Sequence, residues 1–251
     1  MKKLSFLLLA AVFFTSCKKD DPEPALSIDN TELELKFDGT HQFVVKKGNE
    51  NVTASSLTWT SSDELVGSVD ANGKFTARKI GETTIKGTGS NGNVESKVKI
   101  VPYITNIIEP VVKFGATKAQ IKADEKRTLL EEADDALAYN GTTGSYTDHV
   151  IYTFTDGKMD GAILQLTPNI TQQMIQNIAT FLLERYPETM EDEGEVYSLD
   201  DKMNHIIVTT EHELLGPVMV YLPYSILNAR VSNYQSVQNI LEKAASQIAV
   251  N

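Results

Sequence analysis

The chain has one cysteine, Cys17, and one tryptophan, Trp59, among its 251 residues. A lone cysteine excludes an internal disulfide, so an apolar core must hold the folded part together. Proline is missing between Leu26 and Val101, and no helical period interrupts that stretch, which favours strands. The apolar run Leu4–Phe14 is too short to cross a bilayer core as a helix, and no second apolar stretch could cross a membrane.

Sequence motifs of catalysis are also missing. The chain has no Gly-x-Ser-x-Gly motif, no phosphate-binding glycine loop and no nucleophilic cysteine motif. We therefore expect a protein that is not an enzyme and that binds no cofactor and no metal. A hydrolase that uses two carboxylates remains an open alternative, because such carboxylates are paired in space rather than in sequence.

The first residues carry the pattern of an export signal. Lys2-Lys3 precede an almost entirely apolar segment, Leu4–Phe14, and the small residues Thr15-Ser16 stand directly before Cys17. This order resembles the lipobox of bacterial lipoproteins. The resemblance implies that residues 1–16 are a signal peptide, and that Cys17 is acylated after cleavage and anchors the protein in a membrane.

A charged segment with two prolines follows, Lys18–Pro24, and its composition predicts an extended, solvated tether over residues 17–25. A lysine followed by paired acids just after the lipid cysteine resembles the export signal of Bacteroidota-type surface lipoproteins. This resemblance implies an outer-membrane lipoprotein that faces the cell exterior. A plain spacer in the periplasm is the alternative.

Charge is distributed unevenly along the chain, whose formal net charge is −11. From Leu26 to Pro102 there are 10 acidic and 9 basic residues, whereas from Tyr103 to Asn251 there are 21 acidic and 10 basic residues. An acidic second part is repelled by phosphate backbones and by anionic lipid headgroups. We therefore expect no nucleic-acid partner and no membrane contact apart from the lipid anchor.

Residues 26–102 are predicted to form a first domain made of strands. Apolar and polar residues alternate in Leu33–Phe37, and turn sequences such as Asp38-Gly39, Asn72-Gly73 and Asn91-Gly92 separate the alternating runs. Short alternating strands between regularly spaced turns predict a β-sandwich or barrel.

The segment Leu57–Ile85 carries three recognisable features. Trp59 has an expected inward position between two sheets, Asp70–Gly73 has the composition of a tight hairpin turn, and Gly81 precedes a new alternating run. This pattern resembles the bacterial immunoglobulin-like domain, group 2, over nearly all of residues 26–102. The resemblance implies an all-β Ig-like sandwich that serves as a spacer or stalk, and some members of the family take part in adhesion.

Two positions depart from the usual pattern of that family. Gly67 stands where alanine is more frequent, and Phe75 stands where a smaller aliphatic residue is more frequent. We expect both departures to alter core packing without changing the fold.

Residues 103–251 are predicted to form an α+β domain, which we do not assign to a family. Amphipathic periods predict three helices, Ala119–Arg127, Ile170–Tyr186 and Asn233–Val250. Each has a preceding residue that could cap its first turn, with a glutamine three positions later: Thr117, Asn169 and Ser232. Strands are predicted at Leu137–Asn140, Val150–Thr155, Ala162–Thr167, Glu195–Leu199, Ile206–Thr210 and Val218–Leu222.

The order of these elements predicts an internal duplication of one helix followed by three strands. Tyr152–Ile163 and Tyr197–Ile207 are similar in sequence, at a spacing of about 45 residues. We therefore predict a tandem αβββ repeat, folded as an antiparallel sheet with helices on one face. Its layout is similar to the saddles of the β-lactamase-inhibitor protein and the TATA-box-binding protein, and a free sheet face would suit a protein or glycan partner.

Several residues have the chemistry of ligands, but each also has a structural explanation. His205 and His212 are the closest histidine pair, but these positions of one strand face opposite sides of a sheet, so we predict no metal site there. The acidic run Glu191–Glu195 lacks the alternating spacing of a calcium loop and is expected to be a solvated turn. Six tyrosines could form a sugar-stacking face, but core packing is the favoured interpretation: Tyr139, Tyr146, Tyr152, Tyr197, Tyr221 and Tyr224.

These features together predict a surface-exposed, lipid-anchored outer-membrane protein with a non-catalytic role in binding or cell adhesion. The first domain is expected to be the stalk, and residues 103–251 the head that binds a host protein, a glycan or an envelope component. Besides the hydrolase, one further alternative is an inhibitor-like or accessory protein that binds an envelope enzyme or transporter. Cys17 is the one site residue that the sequence identifies, as a lipidation site, and it specifies neither the ligand-binding residues nor the oligomeric state.

Overall fold

The computed structural model of the chain describes residues 23–186, 188–192, 195–224 and 232–248. These residues are mostly in strands, with three α-helices among them. The predicted signal peptide, the lipidation site Cys17 and most of the predicted tether lie outside the described residues. Within the described part of the chain, no helix is long and apolar enough to cross a membrane.

The N-terminal part is a sandwich of short strands. One four-stranded sheet has the order β2-β10-β9-β6, and it faces two three-stranded sheets, β1-β4-β5 and β3-β8-β7. Strand pairing is antiparallel except between β2 and β10. The ten strands are β1 (Leu26–Ile28), β2 (Glu32–Lys36), β3 (Thr40–Gln42), β4 (Val45–Lys47), β5 (Glu50–Val52), β6 (Thr58–Ser61), β7 (Gly67–Val69), β8 (Lys74–Ala77), β9 (Gly81–Gly89) and β10 (Gly92–Val101).

This architecture confirms the all-β fold predicted for the N-terminal part. Alternate residues of β9 and β10 are buried, as expected for strands with one face on a core and the other in water. Their inward side chains meet those of β8 and of the segment before β4 in one apolar cluster that includes Phe43, Phe75, Ile85, Val98 and Ile100.

Trp59 and the hairpin turn occupy the predicted places. The ring of Trp59 is half-buried and stacks on Phe43 at a centroid distance of 5.7 Å. Oδ1 of Asp70 accepts hydrogen bonds from two backbone N–H groups of the turn, including that of Lys74 at 2.9 Å. Gly73 adopts a φ of +75°, and a β-carbon there would lie 3.0 Å from the Trp59 ring, so both the backbone and the space favour glycine.

The two departures from the family pattern compensate for each other. Phe75 is fully buried, and a β-carbon on Gly67 would lie only 2.2 Å from Cζ of the Phe75 ring. The large side chain on β8 therefore fits only because its neighbour on β7 has none. The volume that the family more often divides between an alanine and an aliphatic residue is filled here by one ring.

A linker joins the sandwich to the C-terminal part and is held by a buried ion pair. The guanidinium of Arg127 lies 2.8 Å from the carboxylate of Glu125, and it also donates to the backbone carbonyls of residues 108–109. Burial alone raises the pKa of Glu125, but a hydrogen bond from the Tyr152 hydroxyl and the Arg127 contacts hold that pKa below its usual value. The linker is thus fixed to the C-terminal part by the ion pair of Arg127 and Glu125, whose charged groups are both buried.

The C-terminal part is built on one antiparallel sheet of eight strands, in the order β11-β12-β13-β14-β18-β17-β16-β15. Its helices are α1 (Lys118–Asp124), α2 (Gln172–Leu183) and α3 (Ser232–Ile248). Its strands are β11 (Leu129–Glu132), β12 (Ala136–Asn140), β13 (Thr147–Thr155), β14 (Lys158–Leu166), β15 (Glu188–Asp192), β16 (Glu195–Leu199), β17 (His205–His212) and β18 (Gly216–Pro223).

The six strands predicted in this part are present, but the two edge strands, β11 and β15, were missed. Both α1 and α2 are therefore followed by four strands rather than three. The predicted αβββ repeat is not confirmed, because the similar segments Tyr152–Ile163 and Tyr197–Ile207 fall at different places within the two groups of strands. The first spans the third and fourth strands of its group, whereas the second spans the second and third.

Helices cover both faces of the sheet, which corrects the prediction that they share one face. Leu137, Tyr152, Leu164 and Tyr221 point to the face that carries α1 and α2, where they meet Ile121 and Phe181 in one cluster. Their chain neighbours Ala138, Ile151, Ile163 and Val220 point to the opposite face and contact Val237, Ile240 and Leu241 of α3. The central strands are buried on both sides, so a helix layer is required on each face.

Two of the predicted helix caps can be compared with the structure. Thr117 and Gln120 form the predicted capping box at the start of α1, in which each side chain bonds to the backbone N–H of the other residue. At α2 the cap is Thr171, whose hydroxyl accepts from the N–H of Met174, and the prediction of Asn169 was wrong. The side chain of Ser232, predicted to cap α3, lies outside the described part.

We predict that Gly67 and Phe75 are energetically coupled. Gly67→Ala alone should lower the free energy of unfolding by about 1–3 kcal/mol, because its methyl group overpacks the core. Phe75→Leu alone should also destabilise the sandwich, because it leaves unfilled volume. The free energy of unfolding is measured by chemical denaturation of the two single variants and the double variant. The loss in the double variant should be smaller than the sum of the two single losses by roughly 0.5–3 kcal/mol. Additive changes would contradict the packing explanation.

Candidate functional site

A cleft of about 690 Å³ lies where the sandwich meets the eight-stranded sheet. The sandwich contributes Asp63 and Lys79, and the linker contributes Phe114. The head contributes the turn between β16 and β17, residues 200–204, together with His205. Its walls therefore come from segments far apart in sequence, and its shape depends on how the two parts are joined.

A buried carboxylate, that of Glu184, joins the two parts beside this cleft. Glu184 caps the C-terminal end of α2 and is fully buried. Its carboxylate accepts hydrogen bonds from the backbone N–H groups of Tyr103 at 2.8 Å and Ile104 at 3.2 Å. Its own backbone carbonyl accepts from the N–H of Ile80 in the sandwich at 2.8 Å, and Arg185 neutralises its charge. One residue therefore fixes the sandwich, the linker and the head to one another.

A second contact crosses the cleft itself. Nζ of Lys79, in the loop between β8 and β9, lies 2.6 Å from a carboxylate oxygen of Asp201. Both side chains are mostly shielded from water, with 19% and 11% of their surfaces exposed. Partial burial makes this pair less screened by salt than an exposed one. The pair therefore adds a second direct contact between the β8–β9 loop and the C-terminal part, beside the Ile80–Glu184 hydrogen bond.

The turn between β16 and β17 is organised by Asp200. Its carboxylate accepts hydrogen bonds from the backbone N–H groups of Lys202 at 3.2 Å and Asn204 at 3.0 Å, while Met203 adopts a φ of +52°. Burial raises the pKa of Asp200, but hydrogen bonds with Asp201 and with the turn outweigh burial and lower it to about 2. Asp200 is therefore charged at any physiological pH, and its charge lies at the wall of the cleft.

His205 lines the cleft and lies within an aromatic cluster. Its ring is 6.0 Å from Tyr186, 6.1 Å from Tyr221 and 6.4 Å from Phe114, measured between centroids. Its Nδ1 atom is 3.6 Å from Asp200, and its Nε2 atom is buried without a hydrogen-bond partner among the described residues. Burial lowers the pKa of His205, and the nearby carboxylates, led by Asp200, only partly oppose this. The imidazole is therefore neutral at pH 7.

The cleft is lined by both polar and apolar groups. Carboxylate, ammonium and amide groups lie around a partly apolar wall that includes Val112, Phe114 and Pro223. Within the described ranges, no group of three or more His, Cys, Asp or Glu side chains could hold a metal ion. The arrangement suits a ligand with both apolar and hydroxyl surfaces.

The histidines and acidic residues weighed in the sequence are not brought together. His205 belongs to the face of α1 and α2, whereas His212 points the other way and its Nδ1 accepts the N–H groups of Leu214 and Leu215. The acidic run Glu191–Glu195 was expected to be a solvated turn, but Glu191 and Asp192 belong to β15, and Glu195 begins β16 with its side chain buried. Residues 193–194 lie outside the described part of the chain.

Most of the tyrosines are packing residues, as favoured from the sequence. Tyr139, Tyr152 and Tyr221 are fully buried or nearly so, at 3%, 0% and 0% exposure. Tyr146 and Tyr197 are partly buried and pack against the two clusters of the sheet. Their rings cannot form a continuous exposed platform for a sugar.

The cleft and Glu184 were missed by sequence reasoning. Glu184 lies at the C-terminal end of an amphipathic helix, where the helix dipole disfavours an acidic residue. This unfavourable position is the signal in the sequence that could have identified Glu184. No sequence pattern links residues 63 and 79 to residues 200–205, because their proximity arises from the junction between the two parts.

Comparisons with known proteins identify the N-terminal part. Residues 24–100 match the family model of the bacterial Ig-like domain (group 2), which confirms the resemblance found in the sequence. An uncharacterized protein of Clostridium acetobutylicum is 37% identical over 75 residues, which are 29% of this chain and 19% of that protein. The chain therefore spans about a fifth of the length of that curated relative.

Solved structures of the S-layer protein SbsC are also similar, at low scores. Domains 4–9 give a TM-score of 0.27 at 13% identity, covering 84% of this chain and 27% of that one. Domains 5–6 give a TM-score of 0.27 at 13% identity, covering 80% of this chain and 84% of that one. Scores of this size do not establish a shared fold.

We predict that Glu184 is required for the junction. Glu184→Ala should reduce the free energy of unfolding by about 3–5 kcal/mol, because it leaves Arg185 and two backbone N–H groups buried without their partner. Glu184→Gln keeps an acceptor oxygen and should be milder. Urea denaturation measures the loss, and limited proteolysis should show faster cleavage near Tyr103. Glu188→Ala, on an exposed edge strand, is the control, and equal effects of the two alanine variants would contradict this role.

We predict that stability falls on acidification through His205. The unfolded chain takes up its proton near the ordinary histidine pKa of about 6.5, whereas the folded chain takes it up only at lower pH. The unfolded state therefore binds more protons in that window, and stability is lost as pH falls through it. Thermal unfolding from pH 7.5 to pH 5 should show a weaker pH dependence in His205→Phe than in the wild type. His149→Gln, which also removes one histidine but lies outside the cleft lining, is the control, and an equal loss of pH dependence in both variants would contradict the role of His205.

Proposed function

We propose that the protein is a surface-exposed lipoprotein of the outer membrane, anchored through Cys17, with a non-catalytic role in binding or cell adhesion. The Ig-like part is the stalk, and the α+β part, residues 103–251, is the head that binds the ligand. The fixed junction carries this proposal. Glu184 and the Lys79–Asp201 pair hold the head at one angle to the stalk, which suits the presentation of a binding surface away from a membrane.

The surface of the sandwich supports a spacer role. The outward residues of β2 and β10 include acidic and basic side chains, among them Glu32, Glu34, Lys97 and Lys99, and these are exposed. Charged side chains of both signs keep such a face solvated and discourage pairing with other sheets. A module whose exposed faces are of this kind is well suited to separating a head from a membrane.

The head is proposed to have arisen by duplication of a unit with one helix and four strands. The last strands of the two groups, β14 and β18, pair at the centre of the sheet, with Ala162 opposite Tyr221. The first helices of the two groups, α1 and α2, lie on the same face. This arrangement is what two copies related by a local two-fold axis would give, and α3 is then an addition that covers the opposite face.

A binding partner within the envelope, such as an enzyme or transporter, is the second candidate function. It is favoured by exposed apolar side chains on the head, since Ile175 and Leu183 of α2 and Met190 of the edge strand β15 are about half exposed. An edge strand beside apolar side chains can accept a strand from another protein. In this case the head would act as an inhibitor-like or accessory subunit.

Surface display is tested by protease treatment of intact cells that produce the protein. We expect the head to be digested on intact cells, because the proposed anchor and export signal place it outside the outer membrane. A Cys17→Ala variant should not be anchored, and its fractionation should shift from the membrane to soluble fractions.

A periplasmic protein serves as the control for cell integrity in the same experiment. Complete protection of the head on intact cells, with digestion only after lysis, would overturn the surface role. Membrane retention of Cys17→Ala would overturn the lipid anchor.

A further inference from the structure

We infer that the cleft between stalk and head is a binding site for a neutral saccharide. This inference rests on the proposed binding role of the head and locates it away from the broad faces of the sheet, which helices cover. The cleft has a volume of about 690 Å³ and is open to solvent. Ligand sites in proteins commonly measure about 300–1,000 Å³, so this volume is large enough for a short oligosaccharide segment.

One wall of the cleft offers an apolar surface of the kind that a sugar ring requires. Phe114 and Val112 come from the linker and Pro223 from the end of β18, and each remains partly exposed. A pyranose ring presents C–H groups on its face, and these pack against aromatic and apolar side chains. The sugar-stacking side chain is thus Phe114, and none of the tyrosines considered in the sequence lines the cleft.

The rest of the cleft lining supplies hydrogen-bonding groups from both sides. Lys202 and Asn204 are exposed on the β16–β17 turn, and both line the cleft. Asp63 on the opposite side uses Oδ1 to accept the N–H groups of Leu65 and Val66, which fixes the position of its carboxylate. Sugar hydroxyls both donate and accept, so they match a mixture of carboxylate, ammonium and amide groups.

The charges of the cleft favour an uncharged ligand. Asp63, Asp200 and Asp201 face the two ammonium groups of Lys79 and Lys202, and His205 is neutral at pH 7 because its burial lowers its pKa. The formal sum is −1, from three carboxylates and two ammonium groups. An anionic sugar would also be repelled by the surrounding head, which has 21 acidic and 10 basic residues between Tyr103 and Asn251.

Binding is tested with the full chain purified in detergent, titrated calorimetrically with cellobiose, maltotriose, mannobiose and di-N-acetylchitobiose. We expect saturable binding of at least one of these sugars, and none of the anionic control 3′-sialyllactose. Lys202→Ala and Asn204→Ala should each raise the dissociation constant up to about tenfold, because each removes a hydrogen-bonding group. Phe114→Ala should abolish binding. If that substitution unfolds the head, the Lys202→Ala and Asn204→Ala variants still test the site, because both residues are exposed.

Matched control variants lie on β10 of the sandwich, at positions that do not line the cleft. Lys97→Ala and Asn93→Ala remove the same residue types from exposed positions outside the cleft and should leave the affinity unchanged. Absence of binding to all four neutral sugars, equal binding of 3′-sialyllactose, or unchanged affinity in the cleft variants would overturn the inference.

Failure of this inference and failure of the proposed function are separable. Digestion of the head on intact cells without saccharide binding would overturn the saccharide site and leave surface display standing. Saccharide binding by a chain that is protected from external protease would support the site and overturn surface display.

Discussion

The buried carboxylate of Glu184 is the contact on which the arrangement of the whole molecule depends. Its side chain satisfies two backbone N–H groups of the linker, its carbonyl satisfies one of the sandwich, and Arg185 balances its charge. A buried charge destabilises the folded state unless its hydrogen-bond and ion-pair partners remain in contact with it. Because those partners belong to three segments, the stalk, linker and head take up their positions together rather than as independent units.

The double burial of the eight-stranded sheet limits where a ligand can bind. Gly161 of β14 lies directly beneath Ile240 of α3, and even a β-carbon there would come within 2.9 Å of it. Lys243 of α3 also donates to the Phe154 carbonyl and lies 3.2 Å from the Asp160 carboxylate. The close fit and the polar contacts hold α3 against the sheet, so the open face of a saddle is not available. What remains exposed are the sheet edges, the outer helix surfaces and the junction with the stalk.

Local sequence signals predicted much of the fold and failed where tertiary context decides. The Asp70–Gly73 turn and the Thr117 capping box depend on a few neighbouring residues, and both were predicted correctly. The edge strands β11 and β15 were missed because they are largely exposed and show no alternation of buried and exposed residues. The helix layer on the second face of the sheet was missed. A strand that is buried on both sides is a continuous apolar run, and such a run does not show whether helices cover one face or both.

The cleft could not be predicted from sequence, because its walls come from segments far apart in the chain; Lys79 and Asp201, which face each other across it, are 122 positions apart. That separation also bears on how it would bind a ligand. A cleft between two parts that move independently loses affinity, since the parts must be ordered when the ligand binds. Here the ordering is already supplied by Glu184 and by the Lys79–Asp201 pair, which act in the folded protein before any ligand arrives. The contacts that fix the two parts to each other therefore also preorganise the cleft between them.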